Sequence, residues 1–452
     1  MSYTNEGRAL LRACAILGAA LLATTAQAAP GDALGPQFQV NESSLYSQDA
    51  PVVARAANGD FVVVWQLYTF GTGIESAFTL AARRYAADGT PKGGEFRVDQ
   101  LPRFASPAAP AVAMRADGAF VVAWRDNASA LAIFARRYGA DGQPLGGAVR
   151  VNDVSARMRG VADPRVAIEA DGDFSVVWRE DSVGFELDLP PGCYVTCLST
   201  DTGTAWLRRR HYGSGGTTAE PIDTVDTGSF VSTGLGGLSG GIGIGIGGFI
   251  GAYSLASVAD GRSVVVWQKT QSSLIGVLPL VSSSVQLRRY EADGRARIAQ
   301  RAVALGKAEC AGPYDVGMDG SGGIVLLYAQ PNASDCNTVA AAVLGSDGRV
   351  IGSPQPVADN GGYFGREPRL AVDPSGNFVV AAGGGHPRAQ RFASGGGKLG
   401  VNFTVGVGYT GTLTQFTEPD VASDADGNFV VVWDPYFVPD GRDIAARLYD
   451  GP

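Results

Sequence analysis

The chain has 452 residues, of which 63 are glycine, 45% are hydrophobic and 18% are charged, with a net charge of −8 at pH 7. That balance excludes a disordered chain and suits a turn-rich globular protein. With no basic block in an acidic sequence, nucleic acid is excluded as an expected partner.

The first 28 residues read as a targeting segment. Arg8 and Arg12 precede an apolar run from Ala13 to Leu22, and Ala26-Gln27-Ala28 fits a small-residue cleavage site. Cys14 lies too early in the run for a lipoprotein cysteine. The expectation is a signal peptide over 1–28 and a single domain over 29–452. The protein would be secreted or periplasmic, with the cell surface as a further destination, and without a transmembrane span after cleavage.

Beyond that segment one motif dominates. PVVARAANGDFVVVW (51–65) returns at 110–124, 164–178, 254–267, 314–328, 368–382 and, as PDVASDADGNFVVVW, at 419–433. A second half follows each copy, as in LAARRYAADGTPKGGEFRVD (80–99) and IFARRYGADGQPLGGAVRVN (133–152). The seventh copy stops at IAARLYDGP (444–452), and its missing segment stands at the other end of the chain, where LGPQFQVN (34–41) matches LGGAVRVN (145–152).

Each unit predicts four strands: A (P-x-V-A), B (FVVVW), C (ARRY) and D (FRVN). Asn-Gly or Asp-Gly between A and B, and Asp-Gly between C and D, are tight-hairpin signals. FVVVW is a continuous β-branched apolar run, as expected of a strand buried on both faces. Seven antiparallel four-stranded sheets of this kind describe an all-β, seven-bladed β-propeller, with the N-terminal strand completing the last blade. The small residues Ala54, Ala113, Ala167, Ala256, Gly317, Ala371 and Ala422 fit A strands crowded around an axis. An open β array would need neither that squeeze nor the split last unit.

The tandem motif P-x-V-A-x-x-x-D-G-x-F-V-V-V-W, A-R-R-Y, D-G, F-x-V-N resembles a family of exported bacterial propeller repeats over nearly the whole expected mature chain. The resemblance implies the fold, export and a surface or adhesin-like setting, and it brings no catalytic motif. Copies five and six depart from the pattern: Tyr328 and Ala382 replace Trp, and Ala342 replaces the first Arg of the C strand.

In such a blade the A–B and C–D turns share one face, and the B–C and D–A connections share the other. All length variation falls on the second face, as insertions near 182–203, 229–253 and 272–284. Among these, GGLSGGIGIGIGGFIGAY (236–253) excludes a membrane helix: ten glycines in residues 234–252 forfeit roughly 10 kcal/mol of helix propensity. Its GxGxxG (Gly243, Gly245, Gly248) and GxSxG (Gly237 to Gly241) matches lack the strand–helix setting those motifs need. The stretch reads as an apolar loop or hairpin. Its isoleucines either pack on the neighbouring loop 274–281 as a cap over blades 3 and 4, or stand exposed, in which case Ile242, Ile244, Ile246 and Phe249 with Leu274, Ile275 and Leu278 form a candidate interaction patch for a protein, a glycan or a lipid surface.

Residues that break the repeat mark a second candidate. One A-strand position carries Val52, Ala111, Arg165, Ser254, Asp315, Arg369 and Asp420 in turn, and these should meet at the axial mouth of the elaborated face. Arg165, Asp315, Arg369 and Asp420 are the candidate ligand-binding residues. Trp65, Trp124, Trp178, Trp267 and Trp433 are expected in the core, and the paired arginines (Arg83-Arg84, Arg136-Arg137, Arg288-Arg289) in interblade or surface ion pairs. Cys193, Cys197, Cys310 and Cys336 suggest disulfides with three pairings, of which proximity favours Cys193–Cys197 and Cys310–Cys336.

No catalytic residue and no metal ligand is assigned, because two histidines offer little material for either. No cofactor is expected; calcium is considered only for Asp424-Ala425-Asp426-Gly427-Asn428, which lacks the full loop spacing. The expected function is a monomeric binding module that holds a protein or a glycan on its elaborated face. The alternative is a hydrolase or lyase using the carboxylates and arginines of the axial mouth.

Overall fold

A computed structural model of the chain describes residues 31–42, 47–69, 77–98, 107–126, 131–153, 158, 160–161, 164–186, 198–216, 220–235, 244–275, 278–305, 312–330, 338–359, 364–384, 386–406, 418–437 and 441–451. The expected signal peptide and Cys193, Cys197, Cys310 and Cys336 lie outside these residues. Seven antiparallel four-stranded blades form a closed ring, a seven-bladed β-propeller. The seven A strands are Ser47–Arg55, Pro107–Met114, Arg165–Ile168, Ile244–Ser257, Pro313–Met318, Arg366–Val372 and Asp420–Ser423. Each lies against the next, and the seventh lies against the first.

The B strands explain the ring. In FVVVW of blade 1 every residue is fully buried. Phe61, Val63 and Trp65 pack with Val430 and Val432 of blade 7, while Val62 and Val64 pack with Val122 and Trp124 of blade 2. A strand alternates its side chains between two faces, so a continuous apolar run must have a partner on each side. The five repeat tryptophans, Trp65, Trp124, Trp178, Trp267 and Trp433, are fully buried. Around the axis the squeeze is literal: a Cβ on Gly317 would lie 2.2 Å from Cγ2 of Val372 in the next blade.

The termini seal the ring. Phe38 pairs with Ala446 and Gln39 with Ala445, and Val40 N–H donates to the Ile444 carbonyl at 2.8 Å. Asn41 finishes the clasp: its Oδ1 accepts Ile444 N–H at 2.8 Å and its Nδ2 donates to Asp443 at 2.7 Å. Asn152 repeats that device in blade 2, accepting Ile133 N–H and donating to the Leu131 carbonyl.

The paired arginines cross between blades as expected, but their partners are mostly backbone carbonyls, not carboxylates. The first of each pair donates to a D-strand valine of the preceding blade: Arg83 to Val40, Arg136 to Val98 and Arg288 to Val225. The second reaches the turns of the following blade: Arg84 to Ala140, and Arg289 to Gly322. A guanidinium carries five donors in a fixed fork and so can serve several carbonyls from one strand.

Blades 3 and 4 depart from the plan. What reads in sequence as loop insertion is largely strand. Phe174–Glu186, Leu198–Tyr212, Asp223–Leu235, Ile244–Ser257, Ser263–Ile275 and Leu278–Tyr290 run as neighbours in one nine-stranded sheet. Phe230–Thr233 of blade 3 pairs with Ile244–Gly247 of blade 4, so backbone hydrogen bonds join the two blades. The strands outrun an ordinary blade on the elaborated face and raise a sheet above it. Where that sheet leaves the ring, Trp178 donates to Glu180 and Trp267 to Asp226, each at 2.8 Å, while Arg208 and Lys269 pair with the same two carboxylates.

Candidate functional site

The seven repeat-breaking A-strand residues share one register. Val52, Ala111, Arg165, Ser254, Asp315, Arg369 and Asp420 pair with Val64, Ala123, Val177, Val266, Leu327, Ala381 and Val432, the same B-strand position in every blade. A ring turns that register into a level, and all seven line one axial cavity of about 220 Å³. Arg165, Asp315, Arg369 and Asp420 are therefore brought together, each half-buried. A wider vestibule of about 400 Å³ opens above them, lined by Gln66, Arg125, Glu367 and Glu418 and again by Arg165 and Arg369.

Backbone irregularity shapes this mouth. Ala50, Ala109 and Glu367, each directly before a proline, hold φ near +49°, +48° and +45°, and the A–B register slips at the same points. A bulge of this kind bends the strand and re-aims the residues on either side. Here it lets the A strand continue past the repeat's proline towards the vestibule. Sequence reading missed Glu367, Glu418, Gln66 and Arg125, although each stands next to the Pro or Trp that frames the motif.

The two aspartates serve the ring as well as the cavity. Asp420 Oδ2 accepts Val53 N–H of blade 1 at 2.8 Å. Asp315 Oδ2 accepts Leu370 N–H of blade 6 at 3.0 Å, and its Oδ1 takes the Ser254 hydroxyl of blade 4 at 2.7 Å and its neighbour Val316 N–H at 2.9 Å. Burial pushes the Asp420 carboxyl up to about 6 against the pull of Arg369. Arg165 donates to the Pro164 carbonyl at 3.2 Å. Among the described residues no carboxylate lies within ion-pair distance of Arg165 or Arg369.

Of the apolar patch, Ile242 lies outside the described residues, and only the backbone of Ile244, Ile246, Leu274, Ile275 and Leu278 is described. Ile244 and Ile246 pair with Thr233 and Val231, and Ile275 with Leu278 closes the neighbouring hairpin. Phe249 is half-buried beside Thr270. The Asp424 turn has little left for a cation: Oδ1 accepts Asp426 and Asn428 N–H, and Oδ2 meets the Asn428 amide and Arg55. On the opposite, plain face Glu169, Asp173 and His211 converge. His211 stands at the far end of its strand from Leu198, which pairs with Leu235 just before the glycine-rich segment, about 43 Å along the strand.

No family model matches the chain, and no curated protein matches its sequence. Among solved structures it is similar to an ulvan lyase described as a new family of polysaccharide lyase (10% identity, 91% of this chain and 96% of that one, TM-score 0.48). It is also similar to a protein of unknown function from Dyadobacter fermentans (11% identity, 92% and 98%, TM-score 0.46) and to an α-L-arabinanase from Penicillium chrysogenum (10% identity, 93% and 99%, TM-score 0.43).

Proposed function

We propose that the protein is an exported binding module that seats a glycan carrying carboxylate groups in the axial mouth of its elaborated face. The observation that carries this reading is the pair Arg165 and Arg369, which flank the cavity with no carboxylate in ion-pair reach among the described residues. A guanidinium matches a carboxylate through two parallel N–H donors, and the surrounding acceptors suit sugar hydroxyls. Asp315, with both oxygens engaged, acts as a fixed wall rather than a reacting group. The cavity and vestibule together have the size of an ordinary small-ligand pocket, about 300–1,000 Å³. Export is supported by the leader-like first 28 residues and by the resemblance of the repeats.

Calorimetry with uronic-acid and neutral oligosaccharides tests the reading. Uronic oligosaccharides should bind, and Arg165→Ala and Arg369→Ala should each weaken them about 10-fold or more, the worth of one charge-assisted hydrogen bond. Wild-type affinity in both variants would remove the mouth from the account. A second reading rests on Asp420, whose carboxyl at about 6 is poised to exchange a proton near neutral pH, as hydrolases and lyases require. Product release from the same glycans, lost in Asp420→Asn, would favour that enzyme; saturable binding without turnover favours the module.

A further inference from the structure

Blade 3 breaks the repeat at four neighbouring places. In the other blades, the B-strand position held by Ser175 carries valine (Val62, Val121, Val264, Val325, Val379, Val430). The facing C-strand position carries Arg84, Arg137, Arg289 or Arg391 in four blades and His211 here. Two residues back along that strand, Arg209 replaces the small or apolar residue of the other blades and takes over the crossing contact, donating to the Gly294 carbonyl of blade 4 at 3.4 Å. Glu169 opens the A–B turn where other blades carry Ala56, Arg115, Val258, Asp319, Asp373 or Asp424.

The interblade contact is therefore kept by Arg209, and His211 is released for something else. Asp319, Asp373 and Asp424 spend their carboxylates on the N–H groups of their own turns. Glu169, one methylene longer, does not: only 4% exposed, its carboxylate accepts no hydrogen bond from any described residue. It faces His211 Nδ1 at 3.9 Å, while Asp173 Oδ2 lies 3.4 Å from His211 Nε2. One ligand atom from each of the three lies within 4.8 Å of the others. The imidazole is held from behind, with Ser175 Oγ 3.1 Å from Nδ1 and itself accepting from Arg209 at 2.8 Å. Asp173, its side chain 25% exposed, leaves a way in from solvent.

We propose that Glu169, Asp173 and His211 form a binding site for a divalent first-row transition ion, with zinc as the working case. One imidazole and two carboxylates are a ligand set for zinc, manganese or iron, and the nitrogen donor disfavours calcium and magnesium. With the ion on the Asp173 side of the ring, at Nε2, the ring proton stands on Nδ1, where Ser175 Oγ receives it, and Glu169 reaches the ion by turning its carboxylate from its place beside Nδ1. These residues are 4 and 38 positions apart in the chain and meet through cross-strand register, so no spacing motif announces them.

The test is zinc and cobalt titration of metal-stripped full-length protein, with elemental analysis after dialysis. One equivalent retained, a raised melting temperature and a visible cobalt band are expected. His211→Ala and Glu169→Gln should abolish retention, Ser175→Ala should weaken it about 10- to 100-fold, and His386→Ala should leave it unchanged. Glu169→Gln keeps the size and shape of the side chain and should leave the metal-free protein folded, so its loss of zinc separates ligation from misfolding. No stoichiometric retention, or retention equal in His211→Ala and wild type, overturns the site.

Discussion

Asp420→Asn separates what the axial mouth does for the ring from what it does for a ligand. The carboxyl stands at about 6 in the fold against an ordinary 3.8, chiefly through burial. The fold thus prefers the protonated form. The stability this group contributes is full below about pH 4 and is lost as pH rises through about 6. The difference in proton affinity is worth about 3 kcal/mol at about 1.4 kcal/mol per tenfold change. Asparagine keeps an oxygen for Val53 N–H, the 2.8 Å tie to blade 1, and carries no charge at any pH. Urea denaturation of both proteins at pH 4, 5, 6, 7 and 8 reads the effect. Asp420→Asn should match wild type near pH 4 and exceed it by about 2–3 kcal/mol at pH 7, while binding uronic oligosaccharides differently or not at all. Parallel stability profiles would refute the claim that the ring bears a buried charge at this point. A variant weaker by the same amount at every pH would show that Asp420 is only a structural tie.

The packing sets three further outcomes. Asn41→Ala leaves the fully buried Ile444 without its N–H acceptor and should cost about 1–3 kcal/mol; hydrogen exchange should show the loss in the seventh blade, whereas Asn152→Ala should show it in the second. Gly317→Ala drives a methyl to 2.2 Å from Val372 and should lower stability by about 1–3 kcal/mol in the same denaturation assay. Replacing 231–246 with a two-residue turn keeps the pairing of Tyr253–Ser257 with Ser263–Trp267, so circular dichroism should report an intact propeller. Any partner captured by the raised sheet should be lost from that variant in a binding assay.

The parts of this molecule legible in sequence are those the repeat writes seven times. FVVVW declares a strand with two buried faces, FQVN at the start of the chain declares the missing strand of the last blade, and the A-strand register places Arg165, Asp315, Arg369 and Asp420 on one level. The raised sheet was not legible. Only the Ile-Gly alternation around Ile244 and Ile246 hints at a hairpin there; the remaining raised strands are rich in Ser, Thr and Gly, and their pairing is set by neighbours rather than by their own propensity. The plain-face cluster was hidden for a different reason. Ser175 and His211 are an ordinary cross-strand pair, and only comparison of one blade with its six sisters makes the pair unusual.

The strand Ile244–Ser257 belongs to two structures at once. At one end Ser254 lines the axial cavity and hydrogen-bonds Asp315; about 33 Å along, Ile244 pairs with Thr233 across the joint between blades 3 and 4. Such a strand behaves as a mast stepped in the floor of the axial cavity. A load on its tip is borne by backbone hydrogen bonds on both sides, and its foot rests on the residue that fixes the Asp315 wall. A push on the raised sheet is thereby felt at the cavity wall below.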